Sequence, residues 1–202
     1  LRGALDKVKS ALDALNSPTL LTAYRATSAD DTRYTASADA SAAPGSYAVE
    51  VTALAKAQKL ASGAFSGPDA AVGTGTLTLA LGGKSAAITI DDSNKTLSGI
   101  RDAINAARDA DGKPLGVTAT LVTSTGGVEP AGTYLVLTSS KTGAASTISL
   151  TQTGGDGGLA ALQYETGGLA NGLTEKEPPA DAVVKVDGFT YASATNTVTG
   201  AL

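Results

Sequence analysis

Apolar residues recur at steps of three and four over residues 1–15, where Leu1, Leu5, Val8, Leu12 and Leu15 share one face; this spacing predicts an amphipathic helix. Asn16-Ser17-Pro18 is expected to end it, because the residue before a proline is pushed out of helical geometry. A helix of that length is marginal alone, so its stripe calls for a partner, and one outside this chain would serve. From Tyr34 the period shortens to two. Tyr34–Ala38 and Tyr47–Leu54 read as strands joined through Ala43-Pro44-Gly45, with Tyr47, Val49 and Val51 on one face. Residues 53–60 lose the alternation and read as a short helix or an irregular strand end.

Further along, Thr76–Leu81 and Ala86–Ile90 flank Gly82-Gly83, a hairpin signal because such a turn needs positive φ at its central residues. Leu77, Leu79 and Leu81 then face one side. A second helix is expected over 96–110, capped by Thr96 and closed by Asp111-Gly112 and Pro114, with Leu97, Ile100, Ile104 and Ala107 on its apolar face. Val117–Val122, Tyr134–Thr138 and Thr147–Leu150 read as strands. Residues 153–174, rich in glycine with Leu159, Leu162 and Leu169 scattered through them, read as a linker or loose connection. Ala182–Asp187 and Phe189–Tyr191 form a last hairpin across Asp187-Gly188. The pattern predicts a mainly β, α+β chain: antiparallel sheets with one internal amphipathic helix and a short helical stub at the start.

Composition changes this picture in two ways. Aromatic residues are only 4% of the 202, with no Trp and two Phe, so the core must come from Ala, Val, Leu and Ile in thin layers; two small domains suit that better than one deep core. Cysteine and histidine are both absent, which removes disulfides, thiolate chemistry, the usual general base and the usual zinc ligand. The net charge of −4 is dispersed and no basic stripe could track phosphates, so neither nucleic acid nor an anionic membrane is an expected partner. No apolar run reaches about 18 residues. The chain opens on Leu rather than Met and is read as a fragment or a processed form.

Short motifs with a chemical reading have a plainer one beside them. Gly73-Thr74-Gly75 precedes a strand, whereas a phosphate cradle needs a helix N-terminus. Asp109-Ala110-Asp111-Gly112 lacks the distal glutamate that closes a calcium loop, and Gly154-Gly155-Asp156-Gly157-Gly158 occurs once where calcium-binding repeats must stack. Asn94-Lys95-Thr96 fits a glycosylation acceptor, but the helix cap already accounts for Thr96. Asp30-Asp31 and Asp91-Asp92 are neighbours in polar turns. No catalytic, cofactor-binding or metal-binding residue is assigned, no cofactor is expected, and the chain is read as a non-enzyme.

Three stretches carry a resemblance. GTGTLTLALGG, ITIDDSNKTLSGIRDAINAA, GVTATLV and YLVLTSSKTGAASTISL, between Gly73 and Leu150, resemble the flagellin and hook "IN" motif, with Ile104-Asn105 on its helix and Leu137-Thr138-Ser139 and Thr142-Gly143 ending its second strand. SYAVEVTALAKAQKLASGAF upstream and DAVVKVDGFTYASATNTVTGAL downstream are similar to segments of the flagellar filament cap family, FliD or hook-associated protein 2. Beside the resemblance, Ile104 reads as a core residue, Asn105 as a side chain offering its amide to neighbouring backbone, and Thr138-Ser139-Ser140 as leaving the strand for a turn at Gly143.

The resemblance implies a structural component of the bacterial flagellar filament cap, outside the cell at the filament tip, promoting flagellin assembly without chemistry. Its implied partners are copies of itself in the full-length protein, flagellin and hook–filament junction proteins; export would run through the flagellar apparatus without a cleaved signal. The expected layout is a helical stalk remnant and connector at 1–33, a discontinuous β domain from 34–60 plus 172–202, and an inserted β-rich domain at 61–171 holding the IN-type helix 96–110. Two alternatives stay open: a tip-exposed adhesin for host glycan or mucin, and a hook–filament junction or flagellin outer domain.

Overall fold

A computed structural model describes residues 2–15, 24–168 and 172–201. Leu1, the Asn16-Ser17-Pro18 stop and Leu169 lie outside the described residues. The chain divides into two compact units, Leu1–Ala48 with Gly200–Leu202, and Val49–Thr199.

In the first unit, α1 (Arg2–Leu15) forms as the apolar spacing predicts. Its stripe stands in water: Leu5 is 72%, Val8 58% and Leu12 63% exposed. No strand forms over 24–48. The expected strand at Tyr34–Ala38 is therefore corrected. Its small polar residues follow a turn in which Asp30 O accepts from Arg33 N at 3.1 Å, and a strand needs a neighbour to receive its ladder bonds.

Among the described residues, the second unit is three antiparallel sheets, one α-helix and a short 3-10 helix. The strands are β1 (Val49–Ala53), β2 (Ala57–Ala61), β3 (Gly75–Leu81), β4 (Lys84–Ile90), β5 (Val117–Ser124), β6 (Gly132–Thr142), β7 (Ile148–Thr153), β8 (Thr174–Glu177), β9 (Ala182–Val186) and β10 (Phe189–Ser193), with α2 at Leu97–Ala106. The sheet orders are β1-β9-β10, β5-β6-β2-β8 and β4-β3-β7. Both predicted hairpins form, with φ of 58° and 81° at Gly82 and Gly83, and 47° and 86° at Asp187 and Gly188. Positive φ at both central residues matches the turn's twist to that of the strands.

Strict alternation builds the core. Leu77, Leu79 and Leu81 on β3, Ile148 and Leu150 on β7, and Leu135 and Leu137 on β6 join Leu97, Ile100 and Ile104 of α2 in one buried cluster. Thr96 caps α2 as expected, its hydroxyl accepting from Gly99 N at 3.2 Å.

Three readings change and one choice between alternatives is settled. The helix expected over 96–110 ends at Ala106, because Ala107 is extended and the Asp109 carboxylate takes Asp111 N and Lys113 N into a tight loop. Of the two readings of residues 53–60 the irregular strand forms and the helix does not: β2 slips its pairing, with Gln58 and Leu60 buried on either side of exposed Lys59. β6 runs on through Ser139 to Thr142 before turning at Gly143, φ 100°, since pairing with β2 reaches Thr142. The described residues of 153–174 are not loose: a short 3-10 helix, Gly158–Leu162, buries Leu159 and Leu162 fully, and Leu173 is buried in the core.

The packing sets one prediction. Leu137→Ala, which deletes fully buried methyls, is expected to lower unfolding free energy by about 2–5 kcal/mol, while Val128→Ala at an exposed loop tip stays within about 0.5 kcal/mol. Urea unfolding of both variants checks it; equal losses would contradict the assignment of Leu137 to the core.

Candidate functional site

The residues that bind elements together here are amides. Asn105, on the last turn of α2, lies across the outer edge of β5: Nδ2 donates to Ala119 O at 2.9 Å and Oδ1 accepts from Ala119 N at 2.8 Å. A carboxamide presents one donor and one acceptor just as a neighbouring strand would, so Asn105 closes an edge that would otherwise carry unpaired backbone groups. This is the backbone-directed role expected of it.

A second amide does the same between distant segments. Asn196 Oδ1 accepts from Ala55 N at 2.7 Å, tying the chain after β10 to the chain before β2. A third, Gln58, is fully buried, with Oε1 accepting from Ile148 N at 2.6 Å and Nε2 donating to Glu175 Oε1 at 2.6 Å. Buried amides are tolerated only when so satisfied. Neither role was assigned from sequence. The available signal was a lone polar residue at a buried position of the strand alternation, Gln58 beside Lys59-Leu60.

The motifs set aside as structural serve as clips. Asp156 Oδ1 accepts from Thr74 N and from Gly158 N, both at 3.0 Å, joining the Gly73–Gly75 entry of β3 to the start of the 3-10 helix. These backbone donors, Gly158 first, hold its carboxyl below the usual range. Asp91 Oδ1 accepts from Ser93 N at 2.9 Å, and Asn94 Oδ1 accepts from Asp91 N at 2.8 Å, making the polar turn before α2. Asp109 is buried and pairs with Lys84 of β4; that hydrogen bond first, then Lys113 N, lowers its pKa. The Tyr164 phenol is pushed up, mainly by burial and then by the Glu175 charge. Among the described residues no group of three or more acidic side chains gathers as a metal site, and no helix is long and apolar enough to cross a membrane. Exposed apolar side chains include the α1 stripe, Phe189 at 71%, and Val128 at the tip of the β5–β6 connection.

Two outcomes follow. Asn105→Ala leaves Ala119 N and O without their partner and is expected to cost about 1–3 kcal/mol in urea unfolding; no change would show that water replaces the amide at no cost. The pH profile carries two limbs. Asp109 has a lowered pKa, so its contribution holds above the ordinary carboxylate range and is lost as pH falls through the folded value. Tyr164 has a raised one, so its contribution holds below about pH 10 and is lost as pH rises through the folded value. Urea midpoints against pH should show both limbs, with Asp109→Asn reducing the acid one, to which Asp156 and Asp91 also contribute, and leaving the alkaline one unchanged.

Comparison with known proteins gives one consistent result. The family model described as the flagellar hook-associated protein 2 N-terminus matches residues 1–58. The B-type flagellar hook-associated protein 2 of Pseudomonas aeruginosa is 36% identical over 98% of this chain. This chain spans 42% of that relative's length. The solved D1-D2-D3 domains of the Escherichia coli flagellar cap protein FliD superpose with a TM-score of 0.79 at 30% identity, covering 99% of this chain and 55% of that one. The D2-D3 domains of the Serratia marcescens cap protein match with a TM-score of 0.67 at 33% identity, over 81% of this chain and 85% of theirs.

Proposed function

This chain belongs to the flagellar hook-associated protein 2 family, the flagellar cap proteins, and from that premise we propose that it is part of a structural cap that promotes flagellin assembly at the filament tip. The observation that carries the reading beyond the family is the form of the molecule. Its conspicuous polar side chains spend their hydrogen bonds inside the fold, Asn105 and Asn196 on backbone and Gln58 on the Ile148 amide and the Glu175 carboxylate, and its acidic motifs close turns. A scaffold needs such ties; a catalyst needs convergent groups with free valences toward a substrate.

The α1 stripe supports the oligomeric part of the proposal. Leu5, Val8 and Leu12 are exposed on a helix too short to be stable alone, which suits a helix completed by helical partners from the rest of a longer protein. The proposed site of action is extracellular, at the flagellum tip, with further copies, flagellin and hook–filament junction proteins as partners. The proposed layout keeps a discontinuous β domain from 34–60 and 172–202 around an inserted domain at 61–171. The β1-β9-β10 sheet, drawn from both flanks, supports it, while β2 and β8 also pair into the sheet of β6 and join the two parts.

The full-length protein is expected to oligomerise, and its loss to release unpolymerised flagellin into the medium and stop filament growth. Normal filaments in a strain lacking the gene would overturn the proposal. Replacing Leu5, Val8 and Leu12 together by Ser in the full-length protein is expected to reduce the oligomer seen by light scattering while the folded heads keep their circular dichroism.

A further inference from the structure

Three segments far apart in sequence meet at one buried side chain. Gln58 is fully buried on β2, and the pairing of β2 slips around it: between Ala57 and Lys59 against β6, and between Lys59 and Leu60 against β8. A slip of this kind takes a residue out of the ladder and re-aims its side chain. The Gln58 amide then reaches β7 through Ile148 N at 2.6 Å, and β8 through Glu175 Oε1 at 2.6 Å. A longer contact of 3.5 Å runs from Nε2 to the Tyr164 hydroxyl, which donates to the same Glu175 oxygen at 3.2 Å. Tyr164 is itself fixed to β7, exchanging backbone bonds with Leu150 at 2.8 Å in both directions. One amide therefore fastens the β4-β3-β7 sheet, the β5-β6-β2-β8 sheet and Tyr164 to each other.

What it holds in place is a weak edge. β8 is four residues, Thr-Glu-Lys-Glu, with no apolar side chain and three of the four exposed. Beyond its slipped pairing with β2, it has the Thr174 hydroxyl on Ala61 O at 3.2 Å. Surface ion pairs of Lys56 and Lys59 with Glu177, and of Lys176 with Glu129, add to it. Exposed ion pairs contribute little, and a short strand without buried apolar area opens well below the global unfolding free energy. The Gln58–Glu175 bond, at 2.6 Å the shorter of two that the Glu175 carboxylate accepts from buried groups, the other coming from the Tyr164 hydroxyl at 3.2 Å, belongs to the stronger, charge-assisted class of hydrogen bond.

We propose that β8 is a releasable edge strand, latched by Gln58 as the positioning residue, and that its release uncovers the outer edge of β2. The latch stands independently of any role in flagellar assembly. Because the same amide also holds Ile148, its two hydrogen-bonding arms are separable. Removing Glu175 cuts only the β8 arm, whereas removing the Gln58 amide cuts both.

Amide hydrogen exchange on the whole chain, wild type against variants, tests this. Glu175→Ala is expected to speed exchange of the Leu173 amide and of the β8 amides paired with β2 by about tenfold, leaving Ile148 and the β3–β4 hairpin unchanged. Gln58→Leu is expected to speed the same β8 amides and Ile148 too. Glu175→Gln, which keeps an acceptor oxygen, should restore most of the β8 protection. Should Gln58→Leu fail to fold, the Glu175 pair decides by itself, since Glu175 lies on an exposed edge strand outside the apolar core. Uniform acceleration across the hairpin and β8, or none in β8, would overturn the latch.

Discussion

The burial of leucine and isoleucine between α2 and the facing strands is the interaction on which the rest of the second unit depends. The largest fully buried side chains are all Leu or Ile, from Leu60 on β2 through Leu77 and Leu79 on β3 to Leu135 and Leu137 on β6. Neither phenylalanine belongs to that set: Phe65 packs at its margin and Phe189 is 71% exposed. Aliphatic layers of this kind bury less area per residue than aromatic ones. The sheets therefore stay small, and their edges stay near the core.

Near edges make backbone satisfaction the second constraint. Asn105 on β5, Asn196 on the chain before β2 and Gln58 between two sheets each put a side-chain amide where a further strand would have paired. Amides do this without charge, so the desolvation penalty stays small and the geometry stays fixed. The acidic turns complete the pattern, since Asp109 and Asp156 accept from loop backbone rather than pointing into a cavity. A molecule built this way is suited to hold a shape, which is what a cap subunit is proposed to do.

Much of this was legible in the residues. Period-two leucines marked β3, Gly82-Gly83 and Asp187-Gly188 located the two hairpins, and the Thr96 cap with Ile100 and Ile104 placed α2. What stayed hidden shares a cause. The 3-10 segment looked loose because its glycines mask Leu159 and Leu162, whose burial comes only from the tertiary fit. β2 lacked clean alternation because a slip at Gln58 disrupts the period, and α2 ends early because a side-chain-closed loop at Asp109 competes with the last helical turn. Tyr34–Ala38 had strand-like residues and no partner strand. Local pattern names an element, and a neighbour decides whether it forms.

Methyl-labelled nuclear magnetic resonance of this chain tests the central claim most directly. Nuclear Overhauser contacts should link the methyls of Leu77 and Leu79, Ile100 and Ile104, and Leu135 and Leu137 into one connected network with slow exchange at the strands beneath. Separate networks, or methyls that see water instead of each other, would contradict it.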